Sequence, residues 1–221
     1  MQNFRTFLFS VLLLCISLVC AQDTKPSFPL KKFSGISQLV KINPLPILWG
    51  PIMYTSEYRL NSEFTTSHTQ SMEIGFSYLG KNIFLWMVED SLNNNQGKYK
   101  INGYRFQLEY RFFPVPFTSS PDGFYFAPHL SYSNALITMN YLVLQRQFVE
   151  IAHFNINLKL GYELILDENK TFDFFIGMGY KKNRWWEIDG DKRIPMDISD
   201  QGIFYTMPLK LTLGFNFGFA F

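Results

Sequence analysis

From Leu209 to the C-terminus the chain alternates without a break. Leu209, Leu211, Leu213, Phe215, Phe217, Phe219 and Phe221 occupy the odd positions, and Lys210, Thr212, Gly214, Asn216, Gly218 and Ala220 the even ones. Side chains of a strand point to opposite faces at every step, so this run predicts a strand with one apolar face and one polar or small face. The same pattern recurs upstream. Ile52, Tyr54 and Tyr58 oppose Glu57 and Arg59, and Met72, Ile74, Phe76 and Tyr78 oppose Glu73, Gly75 and Ser77. Tyr104, Phe106, Leu108, Tyr110 and Phe112 oppose Arg105, Gln107, Glu109 and Arg111. Phe124, Phe126, Leu130 and Tyr132 alternate with Tyr125, Ala127, His129 and Ser131. From Phe154 to Leu166 the apolar positions face Asn155, Asn157, Lys159, Gly161, Glu163 and Ile165; from Phe172 to Tyr180 they face Asp173, Gly177 and Gly179.

These runs give seven strands. Gln38 to Leu48 supplies an eighth, with Val40 and Ile42 against Lys41 and Asn43, although Pro44 and Pro46 remove ladder donors there. A short first turn is expected near Gly50 and Pro51. Further short turns are expected at Asn61 to Ser67, Pro114 to Gly123 and Asp167 to Lys170. Long loops are expected at Lys81 to Lys100, Ser133 to His153 and Lys181 to Gly202. Short turns at one end and long loops at the other are the norm for membrane barrels. The fold expected is all-β: an eight-stranded antiparallel transmembrane β-barrel. Ten strands would follow if the apolar parts of the second or third long loop form another hairpin. The terminal run Leu213, Phe215, Phe217, Phe219 and Phe221 resembles the C-terminal signal read by the barrel-insertion machinery of outer membranes.

The N-terminus changes the picture by fixing a compartment. Arg5, an apolar run from Phe7 to Val19 and the sequence Val19-Cys20-Ala21 read as a signal peptide cut before Gln22. The run is too short for a membrane-spanning helix, which needs about 20 apolar residues. Cys20 also admits a lipoprotein reading. The expected organisation is a signal peptide over 1–21, a periplasmic lead-in over 22–37 and a barrel over 38–221 in the bacterial outer membrane, bathed in its lipid. Cleavage after Ala21 removes both cysteines, Cys15 and Cys20, and with them disulfide and thiolate chemistry. The chain has 20 basic and 18 acidic residues, a balance that speaks against nucleic-acid binding. Aromatic residues make up 18% of it while mean hydropathy is −0.02, which strict alternation reconciles.

In a closed eight-stranded barrel the polar face must fill the interior. The predicted lumen network is Lys41, Glu57, Arg59, Glu73, Arg105, Glu109, Arg111, His129, Lys159, Glu163, Asp173 and Lys210, with Gln107, Asn155 and Asn157 among them. Gly75, Gly161, Gly177, Gly179, Gly214 and Gly218 leave room for long side chains from facing strands. The phrases Lys41-Ile-Asn-Pro44, Glu57-Tyr-Arg-Leu60, Ser71-Met-Glu-Ile-Gly-Phe-Ser-Tyr78, Leu108-Glu-Tyr-Arg-Phe112, Gly123-Phe-Tyr-Phe126 and Leu160-Gly-Tyr-Glu-Leu164 resemble the uncharacterised small outer-membrane barrels of Bacteroidota, classed as domain-of-unknown-function families. That resemblance implies location and fold, and it brings no catalytic residues with it.

Candidate chemistry is sparse. His129-Leu-Ser131 has the His-x-Ser spacing of outer-membrane lipid A deacylases, in which a histidine base activates a serine. Parity points both side chains into the lumen, away from lipid, and Val143 stands where an acidic partner is expected. Asp189-Gly-Asp191 has too few oxygen ligands for a calcium loop and reads as a polar turn; no metal and no cofactor are expected. Trp86, Arg184, Trp185 and Trp186 fall in the long loops and form a candidate partner surface, since Trp and Arg are enriched at interaction hot spots. Barrel girdles also use such aromatics. The function expected is a non-catalytic barrel that anchors or binds, as a subunit of a larger outer-membrane assembly. A deacylase-like enzyme and a narrow solute conduit are the alternatives.

Overall fold

The computed structural model describes residues 36–48, 50–52, 55–91, 98–114, 120–140, 146–166, 169–190, 192–197 and 206–221. The expected signal peptide and most of the lead-in lie outside them. The strands are β1 (Gln38–Asn43), β2 (Thr55–Ser67), β3 (Gln70–Lys81), β4 (Lys98–Phe112), β5 (Gly123–Asn140), β6 (Arg146–Leu166), β7 (Lys170–Asp189), β8 (Lys192–Pro195) and β9 (Leu209–Ala220). Among the described residues the strands are interrupted by α1 (Leu45–Leu48) and α2 (Ile83–Ser91). Neither is long and apolar enough to cross a membrane.

Every pairing among the described residues is antiparallel. The order β1-β2-β3-β4-β5-β6-β7-β9 returns to β1, so eight strands close a barrel. β8 stands outside the ring and, among the described residues, pairs only with the outer end of β7, from Trp186↔Pro195 to Asp189↔Lys192. No ten-stranded ring forms. The apolar segments that suggest one instead prolong β5 and β6, whose register runs unbroken from Gly123↔Glu163 to Asn140↔Arg146.

Several boundaries differ from the sequence reading, each for a local reason. β1 stops at Asn43 because Pro44 and Pro46 cannot donate to a ladder, and the chain turns into α1. The Asn43 side chain accepts from the Leu45 amide at 3.1 Å, so the exit is capped. The connection to β2 is therefore longer than the short turn expected. The Asn61 to Ser67 segment is strand, and the turn contracts to His68 and Thr69. Most of Ser133 to His153 and the first half of Lys181 to Gly202 are strand, standing as hairpins above the barrel. Lys81 to Lys100 contains α2, which Asn82 starts by accepting from the Phe84 amide at 2.7 Å.

The outer face is an apolar belt. On β6 it runs from Phe154 through Ile156, Leu158, Leu160, Tyr162 and Leu164 to Leu166, all exposed. Twelve steps of strand cover about 40 Å, which at the tilt usual for barrels is about 30 Å of height, the thickness of a bilayer's hydrocarbon core. Register sorts its chemistry by level. Tyr58, Tyr78 and Tyr104 are directly paired neighbours toward the outer end. Phe112 and Phe126 stack at 4.9 Å toward the other. Ile74, Leu108, Leu130, Leu158, Ile176 and Met178 lie between. An aliphatic band flanked by aromatic girdles suits lipid and would aggregate in water.

Candidate functional site

The inward face holds the charged residues, in layers set by the pleat. The middle layer centres on Arg111, fully buried on β4. Its guanidinium reaches Glu109 at 2.8 Å, Glu63 at 3.1 Å, Glu73 at 2.7 Å, Glu163 at 2.8 Å and Asp173 at 2.8 Å. Its remaining face lies over the Tyr125 ring at 4.4 Å. Lys41 of β1, also fully buried, pairs with Glu63 and, at 2.5 Å, with Glu163. Lys159 pairs with Glu109 at 2.5 Å and covers the Phe175 ring at 4.4 Å.

Carboxylates outnumber cations in this layer, and neutral donors make up the difference. The Tyr125 hydroxyl donates to Asp173 at 2.6 Å, Thr171 to Glu163 at 2.7 Å, Asn61 to Glu73 at 2.8 Å and Asn216 to Asp173 at 2.8 Å; Ser71 donates to Glu63. Buried charge is tolerable only when paired and hydrogen-bonded in this way. Space for Tyr125 comes from Gly161, where a Cβ would collide with the ring. Phe113, Tyr125, Ala127 and Phe175 form a buried apolar cluster beside the network.

The layer above, toward the long hairpins, is organised differently. Arg105 reaches Glu57 at 2.9 Å and Ser131 at 3.1 Å, and Arg59 reaches Glu57 at 2.8 Å. Ser77 donates to Glu57 at 2.7 Å. Lys210 of β9 makes no hydrogen bond or ion pair among the described residues. A cavity of about 280 Å³ opens here, bounded by Glu57, Arg59, Arg105, His129, Lys159 and Lys210. Higher still, Ile52, Leu79, Ala135 and Ile151 close the lumen with an apolar cluster, against which Ile137, Val149 and Trp185 pack.

All twelve residues of the predicted network thus lie on the inward face, in two layers. His129 and Ser131 are both buried there. His129 Nε2 meets Gln107 Oε1 at 3.2 Å, and the Asn157 amide meets His129 Nδ1 at 3.2 Å, so both ring nitrogens are occupied. Ser131 Oγ accepts from Arg105 and, at 3.2 Å, from Asn155. No hydrogen bond joins His129 to Ser131 among the described residues, and neither reaches the lipid face. Glu63 and Tyr125 join the network without having been predicted for it. The inward parity of Glu57, Arg59 and Asn61 extends to Glu63, which is the signal that finds it once that segment is read as strand.

The four residues of the candidate partner surface are dispersed. Trp86 is exposed on α2, and Arg184 is exposed on β7. Trp185 turns inward onto the apolar cap. Trp186 faces out with the Arg193 guanidinium 4.0 Å from its ring. Gly190, at φ +59°, forms the β7–β8 turn; Asp191 lies outside the described residues. Leu213 and Phe219 of β9 and Phe221 just beyond it are exposed, and Phe215 and Phe217 are half-buried. The Phe221 carbonyl accepts from Ser37 at 3.0 Å, which ties the C-terminus to the start of β1.

Residues 40–219 match the model of a family described as "Protein of unknown function (DUF3575)". Among solved structures, a major outer membrane protein from Thermus thermophilus is similar, with 9% identity and a TM-score of 0.48 over 83% of this chain and 98% of that one. No curated protein matches.

Proposed function

The chain belongs to the DUF3575 family, and within it we propose that this barrel is a non-catalytic outer-membrane protein that anchors and binds instead of conducting solutes. The observation that carries the reading is the Arg111 layer. One guanidinium touches five carboxylates from five strands, and this crosslinked layer of buried charge supports a filled lumen. The apolar belt supports residence in a membrane, and the alternating face of β9 supports delivery by the barrel-insertion machinery. A lipid-cleaving role finds no support in His129 and Ser131, whose polar atoms are committed to other partners inside the lumen. At the outer end, α2 displays Phe84, Trp86 and Met87, each more than half exposed. Their chemistry suits contact with a further membrane component, so the barrel serves as a subunit of a larger outer-membrane assembly.

Planar-bilayer recording of the folded protein tests the filled lumen. No current steps are expected; a stable ohmic conductance would overturn it. The assembly role is tested by pull-down from detergent-solubilised membranes of the native host. A stoichiometric partner lost in Trp86→Ala is expected, and recovery of the barrel alone would remove that role.

A further inference from the structure

Among the described residues the barrel wall is incomplete on one side. β1 pairs with β9 only from Leu39↔Ala220 to Ile42↔Phe217, because the chain leaves β1 at Pro44. β7 continues along the other edge of β9 as far as Tyr180↔Leu209. Among the described residues, 209–216 therefore have a ladder on one edge only. Backbone without partners is tolerated at membrane depth where it lines a polar cavity. That condition holds here: the 280 Å³ cavity of the upper layer reaches the wall at this gap, between Pro46, Gly50 and Pro51 on one side and Leu211, Thr212 and Leu213 on the other. Leu211 and Leu213 flank the gap on the lipid face at 72% and 75% exposure, among the most exposed apolar side chains of the belt.

The charges behind the gap do not balance. Four cations, Arg59, Arg105, Lys159 and Lys210, line the cavity against a single carboxylate, Glu57. Lys159 is already paired with Glu109 in the layer below. Among the described residues Lys210 has no ion pair, and the buried Nε of Arg105 has no acceptor. An unpaired cation facing a polar cavity is the arrangement that favours an oxyanion, and Arg and Lys together suit phosphate.

We propose that this cavity binds the oxyanion headgroup of a membrane amphiphile, which enters sideways through the gap between α1 and β9 while its hydrocarbon stays against Leu211 and Leu213. The ligand class deepens the binding role proposed above and rests on the membrane-barrel reading. The headgroup satisfies Lys210 and Arg105, and the acyl part covers the unpaired edge of β9.

The test is calorimetric titration of the folded barrel in a non-ionic detergent with dihexanoyl phosphatidic acid, dihexanoyl phosphatidylcholine and inorganic phosphate. Saturable binding of the phosphatidic acid is expected, with phosphatidylcholine and inorganic phosphate at least about tenfold weaker. Lys210→Met should weaken the phosphatidic acid about tenfold or more, the loss expected for a charge-assisted hydrogen bond. Lys192→Met, on exposed β8, should leave it unchanged. Inorganic phosphate binding as tightly as the amphiphile would overturn sideways entry. Absence of saturable binding, or equal binding by Lys210→Met, would overturn the site. Heat-modifiable gel mobility is read on the same samples: a failed site leaves that shift intact, whereas its loss in the unmutated protein would strike at the barrel itself.

Discussion

Arg111→Met is the substitution with the largest expected effect. Arg111 is fully buried and within 3.1 Å of five carboxylates, so its removal leaves Glu63, Glu73, Glu109, Glu163 and Asp173 facing only Lys41 and Lys159. Methionine fills much of the volume but donates nothing. Orphaning one partner of a buried ion pair costs about 3–5 kcal/mol. Two cations against five carboxylates orphan more than one, so that figure is a lower bound. Set against a total stability of about 5–15 kcal/mol, the loss takes a fifth or more of it. Arg111→Lys keeps the charge and loses the planar fork, so it should fall between wild type and Met. Removing two orphaned charges in Arg111→Met/Glu163→Gln/Asp173→Asn should recover part of the loss. Urea unfolding in detergent micelles, read by gel mobility of unheated samples, gives the ranking. An unfolding midpoint for Arg111→Met equal to wild type would refute the claim that the network holds the lumen together.

Other substitutions probe other levels of the fold. Gly161→Val drives a branched side chain into the Tyr125 ring, which a Cβ alone would already meet, and should cost about 1–3 kcal/mol in the same urea assay; Gly161→Ala should cost less. Trp185→Ala, which removes a side chain packed on the Ile52, Leu79, Ala135 and Ile151 cap, should speed amide exchange in the β5–β6 hairpin while leaving the Arg111 layer protected. Phe221→Asp puts a charge at the C-terminal end of the apolar face of β9, and should lower the amount of barrel recovered from outer membranes without altering refolding in detergent. Ser131→Ala should leave the lipid profile of expressing cells, read by mass spectrometry, the same as wild type.

Much of this architecture is legible in the sequence because alternation is a local signal with a physical cause. A strand with lipid on one side and a packed lumen on the other must change character at every residue, and β9, β4 from Tyr104 and β6 from Phe154 do so almost without exception. Boundaries are less legible. The outer halves of β5, β6 and β7 pair with each other above the belt, where neither face meets lipid, so alternation fades although the ladder continues. At Glu63 the charged and hydroxylated neighbours suggest a turn, yet those groups are the donors and acceptors of the middle layer. The cavity is the least visible feature. Lys210 is marked as inward by parity, but its lack of a partner among the described residues arises because β1 turns away at Pro44, 166 positions earlier in the chain. That is a property of closure, which pairs the two ends of the molecule and has no local signature.

Paramagnetic broadening of methyl signals in the unmutated protein, with nitroxide placed either on lipid acyl chains or on a water-soluble carrier, tests the membrane-embedded and filled barrel most directly. The methyls of Ile156, Leu158, Leu160, Ile176 and Met178 should broaden with the acyl-chain probe alone, and those of Leu39 and Ala127 with neither. Broadening of the belt methyls by the water-soluble probe would mean the belt is not in lipid, and broadening of Leu39 or Ala127 by it would mean the lumen is open.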